Sequence, residues 1–176
     1  MAPQHDAHSL VLIDGRSGAG KTSFATQLAR ARSALLISID DAYPGWDGLD
    51  AGSWHIYSRV LVPWSRGEQG SYQTWDWKRA RPGEWVQVPS DTPLVVEGCG
   101  AIRRESSPLA TRALWLEAPE ATRRQRVAAR DGDTCVPHWH RWSLQEQRFG
   151  ERHRPRDLAT EVVLAGRSQA GVGGAG

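Results

Sequence analysis

The sequence predicts an α/β fold of three layers, in which helices cover both faces of a five-stranded, mainly parallel sheet and a further helical segment forms an arginine lid. Three observations predict it. Five short apolar runs recur along the chain, a glycine-rich loop joins the first of them to a helix, and nine of the arginines crowd between Arg123 and Arg156.

The apolar runs are residues 9–14, 34–39, 93–97, 112–117 and 161–164. They are continuous rather than alternating, which suits strands buried on both faces of a parallel sheet. Between them, helices are expected over residues 21–32, over 52–66 with Pro63 kinking or ending it, and from about 120 to 130, where Pro119 fits a first helical turn. The intervening stretch from 67 to 89 is rich in Trp, Tyr and Gly. Its short alternating pieces, 71–75 and 84–88, read as a hairpin excursion over the sheet and as the natural place for substrate specificity.

With 176 residues, 39% of them hydrophobic and 24% charged, the chain supports one compact core. A single domain is expected over residues 1–167, its lid at about 120–152, with a glycine-rich tail at 168–176 that has nothing to pack and is expected to be disordered. No run approaches eighteen apolar residues and the first residues lack a basic and then apolar leader, so no membrane span or secretion is expected. Two cysteines, Cys99 and Cys135, in no disulfide-type pattern, suit a reducing cytoplasm. The net charge of +2 hides a skew, since arginines outnumber lysines, of which there are only Lys21 and Lys78. The basic stretch from 123 to 156 is where a polyanion would be drawn.

The loop Gly15-Arg16-Ser17-Gly18-Ala19-Gly20-Lys21-Thr22 satisfies G-x-x-x-x-G-K-[ST] in full, between a strand and a helix. Glycines let the backbone curl so that its N–H groups face a phosphate, and the helix N-terminus adds partial positive charge. Residues 15–22 and Ser23 are therefore candidates for binding ATP, Lys21 for bridging its β- and γ-phosphates, and the Thr22 hydroxyl for holding Mg²⁺. Glu97 ends an apolar run where ligands bind in open α/β sheets, within reach of the magnesium shell. Asp40 and Asp41 end another run on the same rim, and either can act as general base toward an acceptor hydroxyl. Arg123, Arg126 and Arg130 recur at i, i+3 and i+7, share one helix face, and can converge on a triphosphate.

On these motifs the sequence resembles the small P-loop kinases of the uridine kinase and phosphoribulokinase type. The resemblance runs from Val11 to about Glu151 and implies a P-loop NTPase fold, ATP and Mg²⁺ as cofactors, and a small hydroxylated acceptor. Ser38-Ile39-Asp40-Asp41-Ala42-Tyr43 is similar to the family's Ser-x-Asp-x-Phe-Tyr element, which implies that Asp40 is the catalytic base, with Asp41 and Tyr43 beside the acceptor; Ala42 departs from the family's Phe. Val96-Glu97-Gly98 matches the strand whose Glu serves metal and substrate. Arg123, Arg126, Arg130 and Asp131 match the lid signature, with Arg123 and Arg126 acting on the transferred phosphoryl group. In place of the Asp-His-Pro element of uridine kinases stands Ser71-Tyr72-Gln73-Thr74-Trp75-Asp76-Trp77, a pattern similar to uridine kinase-like ATP-binding proteins of actinobacteria. Tyr72, Trp75, Asp76 and Arg79 are then candidates for holding a nucleoside, or the aromatic ones form a hairpin core.

Trp139, Trp142, Glu146 and Phe149 form a helical stripe that docks on the body or closes over the nucleotide. Cys135, His138 and His140 lack a fourth ligand for zinc. The leading expectation is a kinase of a nucleoside-like alcohol. A nucleoside monophosphate kinase would draw on Arg79, Arg81 and Arg103. A nucleotide-dependent switch or RNA-binding module is the non-enzymatic alternative, but the chain has no asparagine for the usual guanine-reading element and the lid accounts for several basic residues, so no nucleic acid and no membrane partner is expected. Nothing in the sequence indicates the oligomeric state.

Overall fold

The computed structural model describes residues 8–132 and 136–164. Strand β1 (Leu10–Asp14) lies at the centre of the sheet with all five residues buried. It is flanked by β5 (Leu94–Glu97) and β6 (Arg112–Glu117), with β2 (Leu35–Ser38) and β7 (Glu161–Leu164) at the two edges. Every pairing in this five-stranded sheet is parallel, as the continuous apolar runs require.

Alternation along β1 assigns its two faces. Val11 and Ile13 pack with Ala25 and Ala29 of α1 (Lys21–Arg32), while Leu10 and Leu12 face a larger cluster with Tyr43, Trp142 and Phe149. Helices α2 (Leu49–Ile56) and α5 (Val136–His153) supply that second layer, so the sheet is enclosed on both sides. Helix α4 (Glu120–Asp131) follows β6.

Three local departures from the sequence reading have physical reasons. The helix expected over 52–66 starts at Leu49 and passes through a π-turn, Tyr57–Leu61, before α3 (Val62–Ser65). The wider i→i+5 turn accommodates the place where Pro63 cannot donate a hydrogen bond, and the helix runs on past the proline to Ser65. The second apolar run is a strand only from Leu35 to Ser38; Ile39–Ala42 winds into a 3₁₀ turn, so Asp40 and Asp41 sit in a turn and not at a strand end. The hairpin is longer than its alternating pieces, with β3 at Gly70–Asp76 and β4 at Arg81–Val88, and it shifts register between Gln73 and Trp75. It forms a separate two-stranded sheet.

Among the described residues no helix is long and apolar enough to cross a membrane. The tail expected at 168–176 lies outside the described residues, as does Cys135.

Candidate active site

The phosphate loop is held on three sides. Asp14, the last residue of β1, accepts N–H bonds from Gly15 at 2.7 Å, Ile102 at 2.9 Å and Gly100 at 3.1 Å. Burial pushes its carboxyl up to about 6 against the pull of those donors and of Lys21. From α5, Glu146 accepts the Ser17 N–H at 2.7 Å and the Arg16 Nε at 3.1 Å. From α4, Arg123 and Arg126 donate to the carbonyls of Ser17 (3.3 Å) and Gly18 (3.2 Å). Gly18 has φ +81°, and a Cβ there would lie 2.3 Å from the Arg123 carbonyl oxygen, so only glycine lets the loop pass beneath α4.

At the start of α1, Gly20 is left-handed and offers no side-chain cap, and the first turn holds no acid. Its leading N–H groups are thus available to an anion. Lys21 is buried, donates to the Arg16 carbonyl at 3.2 Å and to Cys99 Sγ at 3.5 Å, and makes no ion pair among the described residues. Burial alone would lower its ammonium, but the carboxylates of Asp40, Glu146 and Asp14 around it hold it above its usual value. Burial raises the Cys99 thiol against the pull of Lys21, so it stays protonated.

Glu97 is 1% exposed, and its Oε1 accepts from Ser38 Oγ at 2.7 Å and from Thr22 Oγ1 at 3.2 Å. Burial, with the Asp40 charge added, raises its carboxyl. A carboxylate and a hydroxyl so placed beside a helix N-terminus form a donor set that fits one or two protein oxygens on Mg²⁺.

A cavity of about 900 Å³ opens above these groups. Ser17, Gly18, Gly20, Lys21, Thr22 and Ser23 line it, together with Glu97 and Asp40. Gly15 and Arg16 instead face a second cavity of about 480 Å³ behind the loop, and Ala19 is sealed in the core. Arg123, Arg126 and Arg130 of α4 do not converge: Arg126 and Arg130 line the larger cavity, whereas Arg123 is buried against the carbonyls of Ala118 and Ser17. The side chain of Asp131 lies outside the described residues.

Of the residues expected near the acceptor, Tyr43 lines the cavity, with its hydroxyl donating to the Cys99 carbonyl at 2.6 Å. Asp41 and Trp75 do not line it, and Tyr72 is buried in the core under the hairpin. Asp76 and Arg79 pair with one another at 3.0 Å, outside the cavity. The wall they were expected to form is built by Trp46, Trp77, Trp139 and Trp142. Trp77 Nε1 donates to the Asp40 carbonyl at 3.0 Å, which fastens the hairpin to the 3₁₀ turn. Trp46 and Trp77 were missed by sequence reading, as was Asp14, although an acid at the end of an apolar run is the same signal that marked Glu97.

No family model matches the chain, and no curated protein does. Solved structures do. A possible uridine kinase from Bacillus stearothermophilus superposes with a TM-score of 0.63 at 19% identity, covering 88% of each chain. The chain has the fold of the P-loop kinases. A shikimate kinase from Bacteroides thetaiotaomicron follows at a TM-score of 0.51 and 10% identity, covering 89% of this chain and 86% of that one.

Proposed function

We propose that the protein is an ATP- and Mg²⁺-dependent kinase that transfers the γ-phosphoryl group to a hydroxyl of a small molecule. One observation carries this reading: an uncapped helix N-terminus, a buried lysine that makes no ion pair among the described residues and the Thr22–Glu97 pair line the same cavity as Asp40. The fold it shares with kinases of other alcohols agrees with it.

Bound ATP supplies the phosphoryl group, and Mg²⁺ spreads the charge of its phosphates. Residues 15–23 provide the cradle: Ser17, Gly18, Gly20, Lys21, Thr22 and Ser23 face the ligand, and Gly15, Arg16 and Ala19 shape the loop. Lys21, kept charged by its surroundings, neutralises negative charge as it develops. Thr22 and Glu97 hold the metal. Arg126 and Arg130 add positive charge from α4, while Arg123 positions the loop by gripping its carbonyls. Asp40 orients the acceptor hydroxyl and accepts its proton.

A nucleoside is one acceptor this reading admits, on the resemblance of the motifs alone. A nucleoside monophosphate has less support, because two of the three arginines it would use, Arg79 and Arg103, are engaged elsewhere. Arg79 pairs with Asp76, and Arg103 is buried behind the site on Ser53, Glu105 and the Trp54 ring. The test is ADP release from Mg·ATP over a panel of neutral, cationic and anionic alcohols. Release that depends on both Asp40 and Lys21 is expected; failure to bind Mg·ATP, or release indifferent to both residues, would sink the reading.

A further inference from the structure

The acceptor end of the cavity is walled by aromatic rings from three separate segments: Tyr43 and Trp46 after the 3₁₀ turn, Trp77 after β3, and Trp139 and Trp142 on α5. These rings meet steeply. Trp46 and Trp77 lie 5.2 Å apart at 63°, Trp46 and Trp142 6.4 Å apart at 85°, and Tyr43 and Trp142 4.9 Å apart at 61°. A flat ligand is best gripped between parallel faces. In this cluster the near-parallel pair is Trp46 and His138, at 9°, and it is already closed upon itself at 4.4 Å. Rings set nearly at right angles instead form the corner of a box, the shape that surrounds a compact, rounded group.

Charge points the same way. From Ser33 to Ser58 the chain has no lysine or arginine, yet it carries four aspartates, of which Asp40 lines the cavity. Among the described residues Asp40 makes no ion pair, whereas Asp47 and Asp50 are paired with arginines. The cations on the cavity, Lys21, Arg126 and Arg130, come from the phosphate-loop helix and α4. An anionic acceptor would lose its hydration against Asp40 with no counter-charge from the acceptor wall. A cation would meet aromatic faces and a carboxylate together, the combination that recognises organic ammonium groups.

We propose that the acceptor is a hydroxylated organic cation, an amino or quaternary-ammonium alcohol, whose cationic head occupies the box of Trp46, Trp77 and Trp142 while its hydroxyl reaches Asp40. The proposal rests on the kinase reading and deepens it. The acceptor oxygen forms a bond to the γ-phosphorus, the bond from that phosphorus to the ADP oxygen breaks, and the hydroxyl proton passes to Asp40 and then to solvent. Because Trp77 Nε1 is bonded to the Asp40 carbonyl, the wall that selects the head group is tied to the base that activates the hydroxyl.

Two measurements on the full chain test this. In the first, protein loaded with Mg²⁺ and a non-hydrolysable ATP analogue is titrated with tetramethylammonium chloride, tert-butanol and sodium chloride, and tryptophan fluorescence is read. The expected result is saturable binding of tetramethylammonium, at least about tenfold tighter than tert-butanol, weakened at least about tenfold in Trp46→Leu and in the more exposed Trp77→Leu with analogue affinity unchanged. Absence of saturation, or equal binding of tert-butanol, overturns the proposal. In the second, ADP release is compared for choline, its uncharged isostere 3,3-dimethylbutan-1-ol, and uridine, with choline expected to lead by at least about tenfold in kcat/KM. A lead for the isostere or for uridine overturns the cationic acceptor and leaves the kinase reading standing. Failure to bind the Mg²⁺ analogue complex removes the kinase reading itself, and where none of the three alcohols is turned over the titration decides.

Discussion

The two sides of the large cavity are built on different principles. On the phosphate-loop side, the groups that face the cavity come from one run of consecutive residues and the end of β5, and Asp14, Glu146 and Arg123 hold that run by hydrogen bonds of 2.7 to 3.3 Å onto its backbone. On the aromatic side it comes from convergence, since Trp46, Trp77 and Trp142 are far apart in sequence and meet only when the hairpin and α5 are docked. The first side is suited to a ligand common to many proteins, a phosphate chain. On the proposed reading, the second is where a particular acceptor would be selected.

The largest expected effects belong to the point where the two sides meet. Asp40→Asn preserves shape and Mg·ATP binding while removing the proton acceptor, so turnover is expected to fall about a hundredfold to ten-thousandfold. Asp41→Asn, one residue away and outside the cavity lining, is expected to change turnover much less. Single-turnover transfer with both variants at matched melting temperature checks this; the reverse pattern would move the base to Asp41.

Next comes the phosphate-loop side itself. Lys21→Ala is expected to leave a folded protein whose turnover is lower by about a hundredfold or more, because the buried ammonium is the loop's own counter-charge. Undiminished ADP release would show that the loop is not the phosphate site.

That division also explains what was legible in the sequence. All five strands of the sheet and α1 could be read because apolar runs and the glycine loop are local signals. Lys21, Thr22 and Glu97 could be placed for the same reason, each at a fixed offset from a strand or helix end. The aromatic wall could not. Tyr72 and Trp75 carry the right chemistry, but strand alternation and the register shift between Gln73 and Trp75 direct Tyr72 into the core and leave Trp77, beyond the end of β3, on the cavity. Arg123 shares a helix face with Arg126, yet it sits one turn nearer the loop and is consumed by the Ser17 and Ala118 carbonyls.

A third test separates the strut beneath the phosphate loop from the loop's chemistry. Asp14 has an ordinary value of 3.8 and is pushed up to about 6 by burial. The folded protein therefore binds this proton more tightly than the unfolded chain, so the contribution is fully present below pH 4 and is lost as pH rises through about 6. The loss amounts to at most about 3 kcal/mol, at 1.36 kcal/mol per pKa unit. Urea midpoints of the wild type, compared with those of Asp14→Asn between pH 4 and 7, are expected to show this component in the wild type alone. Parallel pH profiles would mean that Asp14 titrates alike in both states.

The smallest expected effect belongs to the ion pair that helps hold α5 over the aromatic side. Arg141 pairs with Asp47, and Gln145 bonds the Trp46 carbonyl, so α5 is joined to the Trp46–Asp47 segment by polar contacts as well as by Trp142. The ion pair is exposed, with 53% and 64% of its two side chains accessible, and solvent and salt screen such pairs. Trp142, at 9% exposure, is packed against Tyr43. If apolar convergence organises this side, a double-mutant cycle on Arg141→Ala and Asp47→Ala should give a coupling of about 0.2 to 1 kcal/mol, fading with added salt. Replacing Trp142 by Ala should cost about 3 to 5 kcal/mol, insensitive to salt, because it empties a packed site. Chemical denaturation at low and high ionic strength measures both. A coupling larger than the cost of Trp142→Ala would reverse the assignment and make α5 an electrostatic latch.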